Sequence, residues 1–153
     1  MTTSLHNPSK LLFTIDDRFT VLLIDDDEDD RSIFCEIVKE IYPGATCLVA
    51  CTGIEAILSL KTNNLLAPAM IFLDLNMPKM NGKQALVEIK KIPGIATIPV
   101  IIYSTSRLIK DTEALLALGA FYFLTKPTRA IDLKLALQRT IEEVFRNKAG
   151  MVR

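Results

Sequence analysis

The sequence predicts an α/β domain in which helices cover both faces of a parallel β-sheet. Short apolar runs alternate five times with segments of helical periodicity along the chain. The short runs are continuously apolar rather than alternating, which is typical of strands buried on both faces. The chain has 153 residues, half of them apolar, so one domain with a sizeable core is expected.

Five apolar runs, each too short for a helix, predict the strands. In chain order they are Val21–Ile24, Leu48–Ala50, Met70–Leu73, Val100–Tyr103 and Phe121–Leu124. A polar residue follows directly on every run except the second. Thr52 and Gly53 follow the second, and Pro99 precedes the fourth.

Five helices are predicted where apolar residues recur three and four positions apart. These residues are Ile33, Phe34, Ile37, Val38 and Ile41; Ile54, Ile57, Leu58 and Leu60; Ala85, Leu86, Ile89 and Ile92; Leu108, Leu115, Leu116 and Leu118; and Leu133, Leu137, Ile141, Val144 and Phe145. Pro43–Gly44, Pro93–Gly94 and Gly119 mark helix ends. The third helix is expected to begin near Gly82.

Composition argues against several function classes. The 18 basic and 18 acidic residues balance. The sequence shows no clustered basic patch of the kind that nucleic-acid binding requires. No apolar stretch approaches the roughly 20 residues of a membrane helix. No long apolar region follows a basic start at the N-terminus, so a secretory signal is not expected. Cys35, Cys47 and Cys51 lack metal-site spacing, so three reduced, buried thiols are expected. Together these features predict a cytoplasmic protein.

Polar side chains follow four of the predicted strands. Asp25 and Asp26 follow the first, Asp74 the third, Ser104 the fourth and Lys126 the fifth. The carboxyl ends of parallel strands meet at one edge of the sheet, where such folds bind ligands. We therefore expect three carboxylates, a hydroxyl and an ammonium to converge there.

This mixture of groups predicts a phosphoryl site with a bound cation. Crowded carboxylates repel one another unless a cation intervenes, and Mg²⁺ prefers oxygen ligands. A lysine and a hydroxyl suit a phosphoryl group. The central carboxylate, Asp74, can act as a nucleophile and form an aspartyl phosphate.

Five motifs in order resemble the response-regulator receiver domain of two-component signalling. They are V-L-L-I-D-D-D, T-G-I-E-A, F-L-D-L-N-M-P-K-M-N-G, P-V-I-I-Y-S and L-G-A-F-Y-F-L-T-K-P. The resemblance implies a flavodoxin-like sheet with strand order 2-1-3-4-5. It also implies a domain over residues 20–148, with residues 1–19 as an N-terminal extension and 149–153 as a tail. A stand-alone receiver without an output domain is expected.

The resemblance also implies a role for each site residue. Asp74 would accept the phosphoryl group, and Lys126 would bind one of its oxygens. Mg²⁺ would be held by Asp74, by Asp26 directly, by Asp25 through water and by the backbone carbonyl of Asn76. The Lys126–Pro127 peptide bond, often cis in the family, could be cis here.

A conformational switch is implied as well. Ser104 would bond the phosphoryl group and move inward, and the ring of Phe123 would turn in behind it. The altered surface would lie near the fourth helix, fifth strand and fifth helix, with Tyr103 and Tyr122 as apolar contacts. Implied partners are a histidine kinase or phosphotransfer protein and a downstream target, and a homodimer is possible.

Several alternatives remain open from sequence. Asp27 to Asp30 are interpreted as first-turn acids that favour the helix dipole rather than as ligands. A magnesium-dependent phosphohydrolase is disfavoured because Asn76 stands where such enzymes usually carry an acid–base aspartate. A receiver fold kept only for protein interaction is disfavoured because every acceptor residue is present. Thr105 is larger than the residue usual beside Ser104, which leaves the phosphoryl lifetime open.

Overall fold

The computed structural model describes residues 15–62, 67–105 and 109–148, without the side chains of residues 109–111. The elements alternate strictly between strand and helix. They are β1 (Thr20–Ile24), α1 (Glu28–Ile41), β2 (Thr46–Ala50), α2 (Gly53–Lys61), β3 (Met70–Leu73), α3 (Gly82–Lys90), β4 (Val100–Ser104), α4 (Ile109–Ala117), β5 (Tyr122–Thr125) and α5 (Ala130–Lys148). The expectations for residues 1–14, for Leu108 and for the tail over residues 149–153 fall outside the described residues.

The five strands form one parallel sheet in the order β2-β1-β3-β4-β5. The predicted fold and strand order are therefore confirmed. β1, β3 and β4 lie inside the sheet and are almost wholly buried. Most residues of the edge strands β2 and β5 are partly or fully exposed. An edge strand has a neighbour on one side only, so its apolar side chains are less completely covered.

Two apolar cores lie on opposite faces of the sheet, because successive strand side chains point to opposite sides. Leu22, Ile71 and Ile102 face the core that α2, α3 and α4 complete. Leu23 and Phe72 face the core that α1 and α5 complete. The sheet is thus covered on both faces, and its carboxyl-end edge is left for the loops.

The helices bury a narrower stripe than their apolar spacing suggests. Ile33, Ile54, Leu58 and Leu116 mark helices correctly but are each more than 40% exposed. Their neighbours Phe34, Ile57 and Leu115 are buried in the two cores instead. Of the helices in the described part of the chain, none is long and apolar enough to cross a membrane.

The expectation of three free thiols is wrong. Cys35 on α1 and Cys47 on β2 form a disulfide across a Cα–Cα distance of 5.6 Å, and Cys51 is left free. The two residues are 12 positions apart, and only the return of the chain from α1 into β2 brings them together. Cysteine spacing alone does not reveal such a contact.

Candidate functional site

The predicted site residues converge at the carboxyl edge of the sheet. Asp25 and Asp74 are the first residues beyond the neighbouring strands β1 and β3, and backbone hydrogen bonds extend the ladder through them. Asp25 N donates to Ala50 O at 3.1 Å, and Asp74 N donates to Ile24 O at 3.0 Å. The sheet therefore fixes the backbone position from which each acidic side chain extends.

Three carboxylates form the acidic part of the site. Oxygens of Asp25, Asp26 and Asp74 all lie within 4.8 Å of one another. Asp25 is 0% and Asp74 4% exposed, whereas Asp26 is open to solvent. Burial raises the pKa of Asp74, and the nearby charges of Asp25 and Asp26 add to that shift against the opposing effects of the Asn76 amide and Lys126.

Backbone amides aim the two buried carboxylates. Asp27 N donates to Asp25 Oδ1 at 2.9 Å, and Asn76 N donates to Asp74 Oδ1 at 3.1 Å. In each residue the other oxygen, Oδ2, is the one that contacts Lys126. Each side chain therefore has one oxygen held by the loop and one directed toward the centre of the cleft.

Lys126 crosses the cleft and neutralises part of this charge. Its Nζ lies 2.7 Å from Asp25 Oδ2, 2.9 Å from Asp30 Oδ2 and 3.5 Å from Asp74 Oδ2. Burial acts to lower its pKa, but the hydrogen bonds to Asp25 and Asp30 and the charge of Asp74 raise the pKa overall. The ammonium therefore stays protonated at neutral pH.

Ser104 ends β4 on the side of the cleft opposite the acidic pair. It is buried, and its Oγ accepts a 3.2 Å hydrogen bond from Asn76 Nδ2. Phe123 pairs with Ile102 in the sheet and packs, half-buried, against the core beneath α2, α3 and α4. Ser104 and Phe123 therefore share one face of the sheet.

The loop after Asp74 is shaped by a close backbone contact. Gly82, the first residue of α3, lies against the Asp74–Leu75 peptide, and Gly82 N donates to Leu75 O at 3.0 Å. A Cβ at this position would come within 2.6 Å of Leu75 Cα and would meet the Asp74 carbonyl oxygen. Lys79 adopts a φ of 68°, which allows the chain to turn back toward α3.

The sequence interpretation missed one member of the site, Asp30. As predicted, it lies in the first turn of α1, but its carboxylate also pairs with Lys126. Asp27 fits the helix-start interpretation, since it is the N-cap and accepts a hydrogen bond from Asp30 N. A helix-start pattern does not show which acidic residue faces the cleft.

Two implied details are wrong in the structure. Tyr103 is not a surface contact, because it packs beneath the cleft against Phe34 and Phe72, with Lys126 Nζ 5.2 Å from its ring centre. No peptide bond among the described residues is cis, so Lys126–Pro127 is trans. Tyr122, by contrast, is exposed as expected.

The donor set fits a hard divalent cation. Carboxylate oxygens from Asp25, Asp26 and Asp74 converge, and hard cations such as Mg²⁺ prefer oxygen ligands. The single ammonium of Lys126 cannot balance all of these charges. Divalent cation binding is therefore consistent with both the chemistry and the spacing of the site.

A family model for the response regulator receiver domain matches residues 21–138. The chain belongs to this family. It is 32% identical over 117 residues to the response regulator Rcp1 of Synechocystis, covering 74% of this chain and 80% of Rcp1. Several other curated relatives are longer: the chain spans 15% of a sensor histidine kinase of Helicobacter pylori and 31% of a Bacillus subtilis protein-glutamate methylesterase.

Solved receiver structures are also similar to this chain. The phosphorylated cyanobacterial phytochrome response regulator RcpA is 26% identical, with a TM-score of 0.72 over 82% of this chain and 92% of RcpA. The Mn²⁺-bound form of Rcp1 is 26% identical, with a TM-score of 0.68 over 88% of this chain and 97% of Rcp1. The chain is thus a phosphoacceptor of two-component signalling with a site for a divalent cation.

Proposed function

We propose that Asp74 is the residue that accepts the phosphoryl group and that Mg²⁺ is the cation required. The observation that carries this proposal is the placement of Asp74. Its buried carboxylate lies between two further carboxylates and a protonated lysine, with Oδ2 directed into the cleft. Asp25, Asp26, Asp74 and the backbone carbonyl of Asn76 would supply the ligands of Mg²⁺.

The reaction transfers a phosphoryl group between two nucleophiles. A carboxylate oxygen of Asp74 forms a bond to phosphorus as the bond to the donor atom breaks, which gives an acyl phosphate. Lys126 and the Ser104 hydroxyl would each hold a phosphoryl oxygen. Bound Mg²⁺ would offset the charge of the carboxylates and accept a phosphoryl oxygen as a ligand. We propose that the chain catalyses only its own phosphorylation and dephosphorylation.

The position of Ser104 supports a switch coupled to phosphorylation. Its hydroxyl accepts from Asn76, and a bond to the phosphoryl group would require it to turn toward Asp74. Phe123 lies on the same face of the sheet and is only partly buried, so the core does not enclose its ring on every side. The exposed Tyr122 on β5 lies in the region whose surface would change.

The partners follow from this role. Receiver domains interact with histidine kinases and with downstream effectors, and we propose a histidine kinase or phosphotransfer protein as the donor here. The downstream target would be a protein that distinguishes the two states of the surface near β5. A cytoplasmic location and a homodimer stay predictions from sequence.

The decisive experiment compares Asp74→Asn with the unaltered chain. Both are incubated with acetyl phosphate and Mg²⁺ and analysed by intact-mass spectrometry. We expect the phosphoryl adduct only in the unaltered chain, because an amide cannot form the acyl phosphate. Asp29→Asn removes one negative charge from an exposed position in α1 and should keep the adduct. An equal adduct in Asp74→Asn would contradict the assignment.

A further inference from the structure

Lys126 has one carboxylate partner that the proposed phosphorylation site does not use. Two of its partners, Asp25 at 2.7 Å and Asp74 at 3.5 Å, belong to the acidic group proposed to hold the cation. The third partner is Asp30, whose Oδ2 lies 2.9 Å from Nζ. Asp30 stands outside the group of three carboxylates that lie within 4.8 Å of one another. Its contact with Lys126 therefore has another role.

Helix α1 fixes the position of Asp30. It is the third residue of the helix, and its backbone amide donates to the N-cap Asp27 at 3.0 Å. Its side chain is 39% exposed, whereas that of Lys126 is 9% exposed. Asp30 thus reaches from the rim of the cleft to an ammonium that is almost completely covered.

The contacts of Lys126 must change when the cleft is loaded. Once Asp25 and Asp74 give their oxygens to a cation, their attraction for the ammonium falls, since ammonium and cation carry charge of the same sign. Phosphorylation of Asp74 removes the free carboxylate of that residue as well. Asp30 takes part in neither event and keeps its charge for Lys126.

Ordering a free lysine side chain costs rotamer entropy. An ammonium that is already held in place by a fixed carboxylate is spared much of that cost when it binds an incoming ligand. We propose that Asp30 is a positioning residue that keeps the Lys126 ammonium in the cleft when the cation and the phosphoryl group engage Asp25 and Asp74. The inference rests on the proposed phosphoacceptor site.

The test measures the affinity for beryllofluoride, a phosphoryl mimic, by titration calorimetry in excess Mg²⁺. We expect Asp30→Asn to weaken binding about tenfold, because the Lys126 side chain would then lose rotamer freedom on binding that Asp30 otherwise restricts beforehand. Asp29→Asn is the matched control. It removes the same charge from the same helical turn, and Asp29 has no side-chain partner in the described part of the chain. We expect its effect to stay near twofold, as for an exposed charge.

A double-mutant cycle shows whether Asp30 acts through Lys126. Asp30→Asn should weaken binding little further in a Lys126→Ala background. In ¹H–¹⁵N spectra of the loaded protein, the Lys126 ammonium signal should persist in Asp29→Asn and broaden in Asp30→Asn. Three results would each overturn the inference. They are equal effects of Asp30→Asn and Asp29→Asn, tighter binding by Asp30→Asn, and an undiminished loss of affinity when Asp30→Asn is added to Lys126→Ala. Absence of beryllofluoride binding by the unaltered chain would instead refute the proposed phosphoacceptor site.

Discussion

At the scale of single residues, the site depends on carboxylates held close together against their mutual repulsion. Asp25 and Asp74 are buried, and Lys126 is the cation that the described residues place between them. Sequence reasoning found these residues because each follows a strand, and strand ends converge in a parallel sheet. It did not find Asp30, because the rotation of α1 that directs one first-turn acid into the cleft depends on tertiary packing.

The exposed member of the acidic group provides a test of metal binding. Asp26→Ala should lower Mg²⁺ affinity by about tenfold or more. Loss of a residue that only hydrogen-bonds to a metal ligand typically lowers affinity about tenfold, and loss of the ligand itself should cost at least as much. Isothermal titration with Mg²⁺ measures it, with Asp29→Ala as a control for general charge loss. If Asp26→Ala bound Mg²⁺ as tightly as Asp29→Ala, Asp26 would not be a ligand of the cation.

The raised pKa of Asp74 predicts a pH dependence of stability. At pH values above 3.8, the ordinary pKa of an aspartate, the folded state holds the proton of Asp74 more tightly than the unfolded state does. The contribution of Asp74 to the free energy of unfolding therefore falls as pH rises from 3.8 through the raised folded pKa. At higher pH the carboxyl is ionised in both states, and its contribution no longer changes.

Asp74→Asn removes this contribution and should become more stable relative to the unaltered chain as pH rises through that interval. Urea unfolding in metal-free buffer at several pH values measures the difference. A difference in unfolding free energy that is constant with pH would show that Asp74 has an ordinary pKa in the folded protein.

At the scale of elements, strands were predicted more accurately than the buried faces of helices. β3 was predicted to the residue, since Met70–Leu73 is a continuous apolar run that ends at the charged Asp74. In α2, Ile54 and Leu58 were grouped with buried positions but face solvent. Helical spacing predicts a helix, but the width of the stripe that contacts the sheet depends on neighbouring helices.

The two helices that begin with glycine offer a matched comparison. Gly82→Ala should lower the free energy of unfolding by roughly 1–3 kcal/mol, because its Cβ would press on the backbone that carries Asp74. Gly53→Ala should cost less, since its nearest neighbours are the side-chain atoms of Met80 and Ala85, 3.0 to 3.3 Å away. Chemical denaturation and acetyl phosphate labelling of both variants check this. Equal losses of stability and labelling would show that the Gly82 contact does not position Asp74.

At the scale of the whole molecule, the arrangement of five parallel strands brings residues 100 positions apart into contact. Lys126 meets Asp25 across a sequence separation of 101 and Asp30 across 96. Strand order and motif order together were sufficient to predict this convergence. The disulfide between Cys35 and Cys47 was not predictable, because no pattern of spacing shows that α1 and β2 approach at those residues.

The proposed switch predicts where the molecule changes on activation. Beryllofluoride with Mg²⁺ shifts the protein between two states only by its differential affinity for them. Hydrogen exchange should therefore change more between Ser104 and Thr128 than between Leu48 and Leu60. Mass spectrometry of peptides with and without the mimic measures it. Identical exchange in the first segment, despite bound beryllofluoride, would favour a phosphoryl relay over a conformational signal.

The measurement that tests the central assignment most directly is chemical mapping of the phosphorylated residue. The chain is labelled with acetyl phosphate and Mg²⁺, reduced with borohydride and digested. Reduction converts an aspartyl phosphate to homoserine, which tandem mass spectrometry locates in the sequence. We expect homoserine at position 74 and at no other aspartate. Homoserine at Asp25, Asp26 or Asp30, with Asp74 intact, would contradict the assignment.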